Sequence, residues 1–243
     1  MDKINALILA GDSGKGELAS SLENKSFIEI KGKWMVEYVV DALRDCSMVG
    51  EICIIGPHKH LEERLGDRID YYFEAHGDML ENLERGLSAF KGDPTLVVTS
   101  DIPMIDGEVV LDFIQRCRSK EADLYYPIVK KEVNDEKYPG FQRTYVRMKE
   151  GVFTGGNMML LNPRIVDKCT QFIKDAIDNR KNPWKLGRML GFHFLIMLAL
   201  GILSIARVEK RFLKLLDIKA CAIISPFPQL ANDVDKFIDI KLT

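Results

Sequence analysis

Apolar runs at Ala6–Leu9, Glu51–Ile55, Thr95–Thr99 and Leu124–Val129 alternate with helix-period stretches at Trp34–Cys46, Gly77–Phe90 and Gly107–Arg118. A strand that joins a parallel neighbour needs a crossover of about a dozen residues or more, and a helix is the usual one. The alternation therefore predicts an α/β fold: a mainly parallel central sheet with helices on its faces, a three-layer sandwich. The stretch 77–90 carries Leu80, Leu83, Leu87 and Phe90 at spacings of three and four, one apolar stripe for one sheet face.

After Gly151 the rhythm changes. Val152 to Leu161 reads as a strand broken at Gly155 and Gly156, and Asn162-Pro163 stops it. Residues 164–217 read as helical with Pro183 as the main break, and Ala220–Ile224 as a returning strand. The 243 residues then divide into a core at 1–163, a helical insertion at 164–219 and a returning strand and tail at 220–243, all within one domain. The polar run Lys130–Tyr138 is expected to be a mobile loop. Leu190 to Ala206 is almost wholly apolar and is expected to be one helix. It is shorter than the about 20 residues of a membrane span and is interrupted by His193. It is expected to pack on the protein or on a second copy in a homo-oligomer, with an apolar patch left for a hydrophobic acceptor or a membrane surface.

Charge and cysteines narrow the setting. A formal net charge of −2 gives no electrostatic case for nucleic acid as a partner. Five cysteines without a C-x-x-C pair suit a reduced, cytoplasmic protein better than a disulfide or zinc framework. The first strand starts within a few residues, so no signal peptide is expected.

The first strand runs directly into Gly11-Asp-Ser-Gly14-Lys15-Gly16. Glycines let backbone N–H groups approach phosphate oxygens closely. The spacing fits neither a P-loop nor the G-x-G-x-x-G dinucleotide fingerprint, so another kind of nucleotide loop is expected. Lys25 follows it and can bring a point charge to a triphosphate. Asp101 ends the run Leu96–Thr99, where open α/β sheets bind ligands, and Ile102-Pro103 turns the chain away. A carboxylate there suits Mg²⁺ on phosphates, or else caps the next helix. Thr154-Gly155-Gly156-Asn157 suggests close approach of a ligand or of another backbone. Asp233 and Asp235 add two late carboxylates.

In this order the pieces resemble the nucleotidyltransferase superfamily, which includes molybdenum-cofactor guanylyltransferases, isoprenoid cytidylyltransferases and sugar-1-phosphate nucleotidyltransferases. Leu9-Ala10-Gly11 matches its opening loop, and Asn24 to Val39 matches its Pro-Lys-Ala-Leu-Leu segment. Asp101-Ile-Pro, Gly155-Gly156 and Asp233-Val-Asp235 match its metal aspartate, glycine pair and closing acidic motif. The resemblance implies a Rossmann-like (GT-A-like) sandwich and Mg²⁺-dependent transfer of NMP from an NTP to a small, phosphorylated or similar acceptor. It implies that Leu9, Ala10, Gly11, Gly14, Lys15, Gly16, Gly77 and Asn82 bind the nucleotide. Lys25 and Asp101 would be catalytic, and Asp101 with Asp233 or Asp235 would hold the metal. Gly155, Gly156 and Asn157 would face the acceptor.

The family's Arg-Met-Gly is missing from the opening loop, where Lys15 is the one cation. A GT-A-type glycosyltransferase shares the sheet, but its Asp-x-Asp is not met by Thr99-Ser100-Asp101. A non-catalytic nucleotide-binding or partner-docking module is the third reading.

Overall fold

The computed structural model describes residues 3–11, 24–179 and 181–235. The first half alternates as expected: β1 (Ile4–Leu9), β2 (Glu29–Ile30), β3 (Lys33–Trp34), α1 (Met35–Asp45), β4 (Val49–Gly56), α2 (His58–Leu65), β5 (Tyr71–Glu74) and α3 (Met79–Leu87). Then come β6 (Thr95–Thr99), α4 (Gly107–Arg118), β7 (Leu124–Lys130), α5 (Lys131–Lys137), β8 (Val146–Met148), β9 (Gly151–Gly155) and β10 (Met158–Leu161). Four helices follow, α6 (Arg164–Asp178), α7 (Pro183–Leu190), α8 (Phe192–Ala199) and α9 (Ile205–Leu216), before β11 (Ala220–Ser225).

The main sheet runs β5-β4-β1-β6-β10-β7-β9-β8, with β11 added along β7. Strands β5, β4, β1 and β6 are mutually parallel, and so are β7 and β11. β10 runs antiparallel between β6 and β7. Strand pleating sends alternate side chains to opposite faces. Ala6 and Ile8 thus enter one core with α1, α2 and α4 side chains such as Val39, Leu61 and Phe113. Leu7 enters the other with Leu80, Leu83 and Leu87 of α3 and Ile165 and Val166 of α6. This is the expected three-layer, mainly parallel sandwich. A smaller cluster of Leu190, Phe194 and Leu203, with Phe172 and Phe212 against it, joins the late helices.

The glycine break between β9 and β10 is a bulge. Ile128 faces Gly155 and Tyr125 faces Leu160, so three steps along β7 match five along its partner. The glycines make room for the protein itself. A Cβ on Gly155 would lie 2.4 Å from the Tyr126 hydroxyl, and one on Gly156 would lie 2.8 Å from Pro127 Cγ.

Two local expectations are corrected. Residues 130–138 form no loop but the end of β7 and helix α5. An i,i+4 Lys131–Asp135 ion pair supports the helix, and its buried Asn134 accepts from Asn232 Nδ2 at 2.8 Å. Nor is 190–206 one helix. Gly191 (φ 125°) and Gly201 (φ 64°) separate α7, α8 and α9, because positive φ suits glycine and ends a right-handed helix. Among the described residues no helix is long and apolar enough to cross a membrane.

Candidate active site

The carboxyl ends of β1 and β6 lie side by side, with Leu9 opposite Thr99. Beyond β1, the Ala10 carbonyl accepts from Asn24 Nδ2 at 2.8 Å. Asn24 Oδ1 accepts the Ser26 N–H at 2.8 Å and so caps the short 3₁₀ turn Lys25–Phe27. Ser26 Oγ lies 2.7 Å from Ser100 Oγ, and the Ser100 N–H donates to the Leu9 carbonyl at 3.2 Å. These bonds stitch the turn to both strand ends. They hold Lys25 beside Asp101.

The Lys25 ammonium pairs with Asp101 and lies 3.0 Å from Asp235 Oδ1. Lys181 Nζ lies 2.9 Å from the other Asp235 oxygen. Arg143 pairs with Asp233 and also donates to the Gly155 carbonyl at 3.4 Å. Thr99 Oγ1 donates to Asp101 Oδ1 at 2.5 Å, and the Val234 N–H donates to the Asp101 carbonyl at 2.9 Å. The last bond ties the C-terminal segment to the end of β6. Helix α4 is capped by Asp106, which accepts from the Val109 N–H at 3.0 Å, so Asp101 has no capping role there.

One oxygen each from Asp101, Asp233 and Asp235 falls within 4.8 Å of the others. Three carboxylates thus face three cations, Lys25, Arg143 and Lys181. Burial opposes the charge on Lys25, yet attraction to Asp101 and then Asp235 outweighs it and raises its pKa. Burial also opposes the Asp235 carboxylate, but Lys25 and Lys181 hold its pKa below the usual range. Burial lowers the Arg143 pKa, and among the described residues its Nε is buried without a hydrogen-bond partner. The all-oxygen carboxylate set is of the chemistry that a hard divalent cation such as Mg²⁺ takes.

The other anticipated residues distribute around this centre. Gly11 follows β1; a Cβ there would lie 3.4 Å from Ala75 Cβ and 3.7 Å from Asn82 Nδ2. Asn82 Oδ1 accepts the His76 N–H at 2.8 Å, which fixes its amide at the start of α3. Gly77 has φ 63° and leads into Asp78, whose carboxylate accepts from the Leu80 and Glu81 N–H groups. Leu9 and Ala10 belong to the end of β1 and its extension, and Ala10 is fully buried. The Asn157 N–H donates to the Leu230 carbonyl at 2.8 Å, and its carbonyl accepts from Thr99 at 3.1 Å. Gly14, Lys15 and Gly16 lie outside the described residues.

Arg143, Lys181, Thr99, Ser26 and Ser100 were not anticipated at the site. Arg143 and Lys181 have an unremarkable local sequence. Arg143 stands 90 positions from Asp233 and Lys181 stands 54 from Asp235. For Ser26, Ser100 and Thr99 a signal was available: Ser26 adjoins Lys25, Ser100 adjoins Asp101, and Thr99 stands two positions before Asp101.

The model of the MobA-like NTP transferase domain matches residues 6–185. A hypothetical transferase structure from Thermus thermophilus superposes with a TM-score of 0.84 at 34% identity, covering 98% of this chain and 99% of that one. A probable molybdenum cofactor guanylyltransferase of Natranaerobius thermophilus is 24% identical over 139 residues, 53% of this chain and 62% of the relative. A 2-C-methyl-D-erythritol 4-phosphate cytidylyltransferase of Clostridium perfringens is 29% identical over 108 residues, 42% of this chain and 47% of the relative. The match with GlmU of Heliobacterium modesticaldum, 31% identical, spans 44% of this chain and 24% of that protein. The chain thus spans less than two thirds of the length of these curated relatives. With the family model matching residues 6–185, most of the chain, this chain belongs to the MobA-like NTP transferase family of nucleotidyltransferases.

Proposed function

We propose that this enzyme transfers an NMP group from an NTP to a small phosphorylated, or similarly anionic, acceptor in a Mg²⁺-dependent reaction. An acceptor oxygen attacks the α-phosphorus, the bond from that phosphorus to the oxygen bridging to the β-phosphate breaks, and pyrophosphate leaves. The observation that carries this reading is the meeting of Lys25 with Asp101 and Asp235 at the ends of β1 and β6. Phosphoryl chemistry needs positioning and charge neutralisation more than covalent catalysis.

In this reading Leu9, Ala10 and the Gly11–Gly16 loop, with Lys15, cradle the triphosphate. Gly77 and Asn82 contact the nucleoside, which the proximity of Asn82 Nδ2 to Gly11 supports. Lys25 turns from its carboxylate partners toward the α-phosphate as charge builds there. Asp101, with Asp233 and Asp235, holds Mg²⁺, which supplies charge neutralisation on the phosphates when bound. Arg143 keeps Asp233 oriented. Gly155, Gly156 and Asn157 border the acceptor, although their contacts with Tyr126, Pro127 and Leu230 already give them a packing role.

The test is pyrophosphate release from a panel of NTPs and phosphorylated acceptors, with Mg²⁺ and with a chelator. Release should require one NTP, one acceptor class and the metal together. Transfer of a sugar from a nucleotide-sugar without pyrophosphate release would overturn the reading in favour of glycosyl transfer.

A further inference from the structure

The α7–α9 lobe leaves large apolar side chains in solvent. Phe192 is 75% exposed, Leu200 65%, Trp184 57% and Ile196 49%. Phe192, Ile196 and Leu200 recur every four residues and form one stripe along α8, while Phe194 on the other side is buried with Leu190 and Leu203. Helix α8 is thus anchored by one face and bare on the opposite one. Ile202, just past Gly201, extends the bare face.

Charge along the segment that carries the stripe is one-sided, although Glu150 from the preceding hairpin accepts the Ile205 N–H at 3.2 Å. Residues 181–214 contain seven lysines and arginines against a single carboxylate, Glu209, in a chain whose formal net charge is −2. Glu209 is turned inward, where it accepts the Ala222 N–H at 2.9 Å. Arg207 reaches α8 through Met197 Sδ at 3.0 Å, whereas Arg211 lies toward the buried face, its guanidinium 5.9 Å from the Phe194 ring centroid. Lys185 and Arg188 are exposed on α7, which packs on α8 through Gly187 and Leu195. An aromatic and aliphatic stripe bordered by cations is the chemistry of a helix that lies in the interface of an anionic bilayer. Such a surface attracts each lysine or arginine and takes up the apolar side chains.

We propose that the α7–α9 lobe docks on anionic phospholipid membranes, with the Phe192–Ile196–Leu200 stripe inserted at the interface and the surrounding cations on the headgroups. The Lys181–Asp235 contact joins this lobe to the carboxylate cluster, so docking holds the site beside the lipid surface.

The test is co-sedimentation of the full chain with phosphatidylglycerol–phosphatidylcholine vesicles against pure phosphatidylcholine vesicles. Binding should favour the anionic vesicles and weaken with salt. Arg188→Gln and Arg207→Gln should each weaken it about fivefold. Phe192→Ser with Leu200→Ser should weaken it about tenfold or more, while Lys59→Gln on α2 should leave it unchanged. The charge variants keep the test decisive where the serine variant fails to fold. Equal binding to both vesicle types, or none to either, would overturn the proposal. So would light scattering that shows a dimer converted to monomer by the serine variant, since a second copy would then cover the stripe.

Discussion

Lys25 Nζ lies 3.0 Å from Asp235 Oδ1 across 210 positions of sequence. The same ammonium pairs with Asp101, so one lysine bridges the end of the central strand β6 and the C-terminal segment. The two carboxylates hold this partly buried cation at the strand ends, where the proposed reaction would build charge.

Lys25→Ala should therefore lower kcat about 10²- to 10³-fold, the scale of losing one preorganised electrostatic donor. KM for the NTP should change less. Steady-state kinetics separate the two. A change confined to KM would make Lys25 an anchor of the ground state only.

Asp101→Asn should abolish metal-dependent turnover while leaving the fold in place. Its carboxylate is bonded by Lys25 and Thr99, whereas its backbone carbonyl, which receives the Val234 N–H, is untouched by the change. Activity across a Mg²⁺ titration, with circular dichroism of the same sample, checks both halves. Normal turnover in the variant would remove Asp101 from the mechanism.

Gly156→Ala tests packing against acceptor contact. The new Cβ would sit 2.8 Å from Pro127 Cγ and 3.2 Å from the Leu230 carbonyl. Overpacking on this scale costs about 1–3 kcal/mol. Thermal unfolding should show that loss, and an intact KM for the acceptor beside a lowered Tm would assign the glycine to packing alone.

Glu37 on α1 accepts from Arg64 Nε at 2.9 Å and Arg68 at 2.8 Å, and also receives the Trp34 N–H. Burial opposes its charge, but the Arg68, Trp34 and Arg64 hydrogen bonds hold its pKa below the usual carboxylate value. A depressed folded pKa gives stability that is present above the unfolded value and lost as pH falls through the folded one. Glu37→Gln should therefore lower stability by about 1–3 kcal/mol at neutral pH. The gap to wild type should narrow on acidification below the ordinary carboxylate range. Unfolding curves of both proteins at several pH values measure it, and a gap that widened in acid would refute the assignment.

The layering, and the order along the chain of the residues that meet at the strand ends, were legible in the sequence. Alternating strand and helix periods require parallel crossovers, and the two faces of β1 follow from its pleat, with Ala6 and Ile8 to one core and Leu7 to the other. The positions of Lys25, Asp101 and Asp233-Val-Asp235 were legible because each sits in a recognisable local motif. Local pattern was misleading where tertiary contacts supply the stability. The polar residues 131–137 form α5 because Asn134 finds Asn232 and Tyr145 inside the fold. The apolar run 190–206 breaks at two positive-φ glycines, since hydropathy reports burial and not chain direction. Only the tertiary structure brought Arg143 to Asp233 and Lys181 to Asp235. Ion pairing depends on distance in space, and the separation of two charges along a chain carries no record of it.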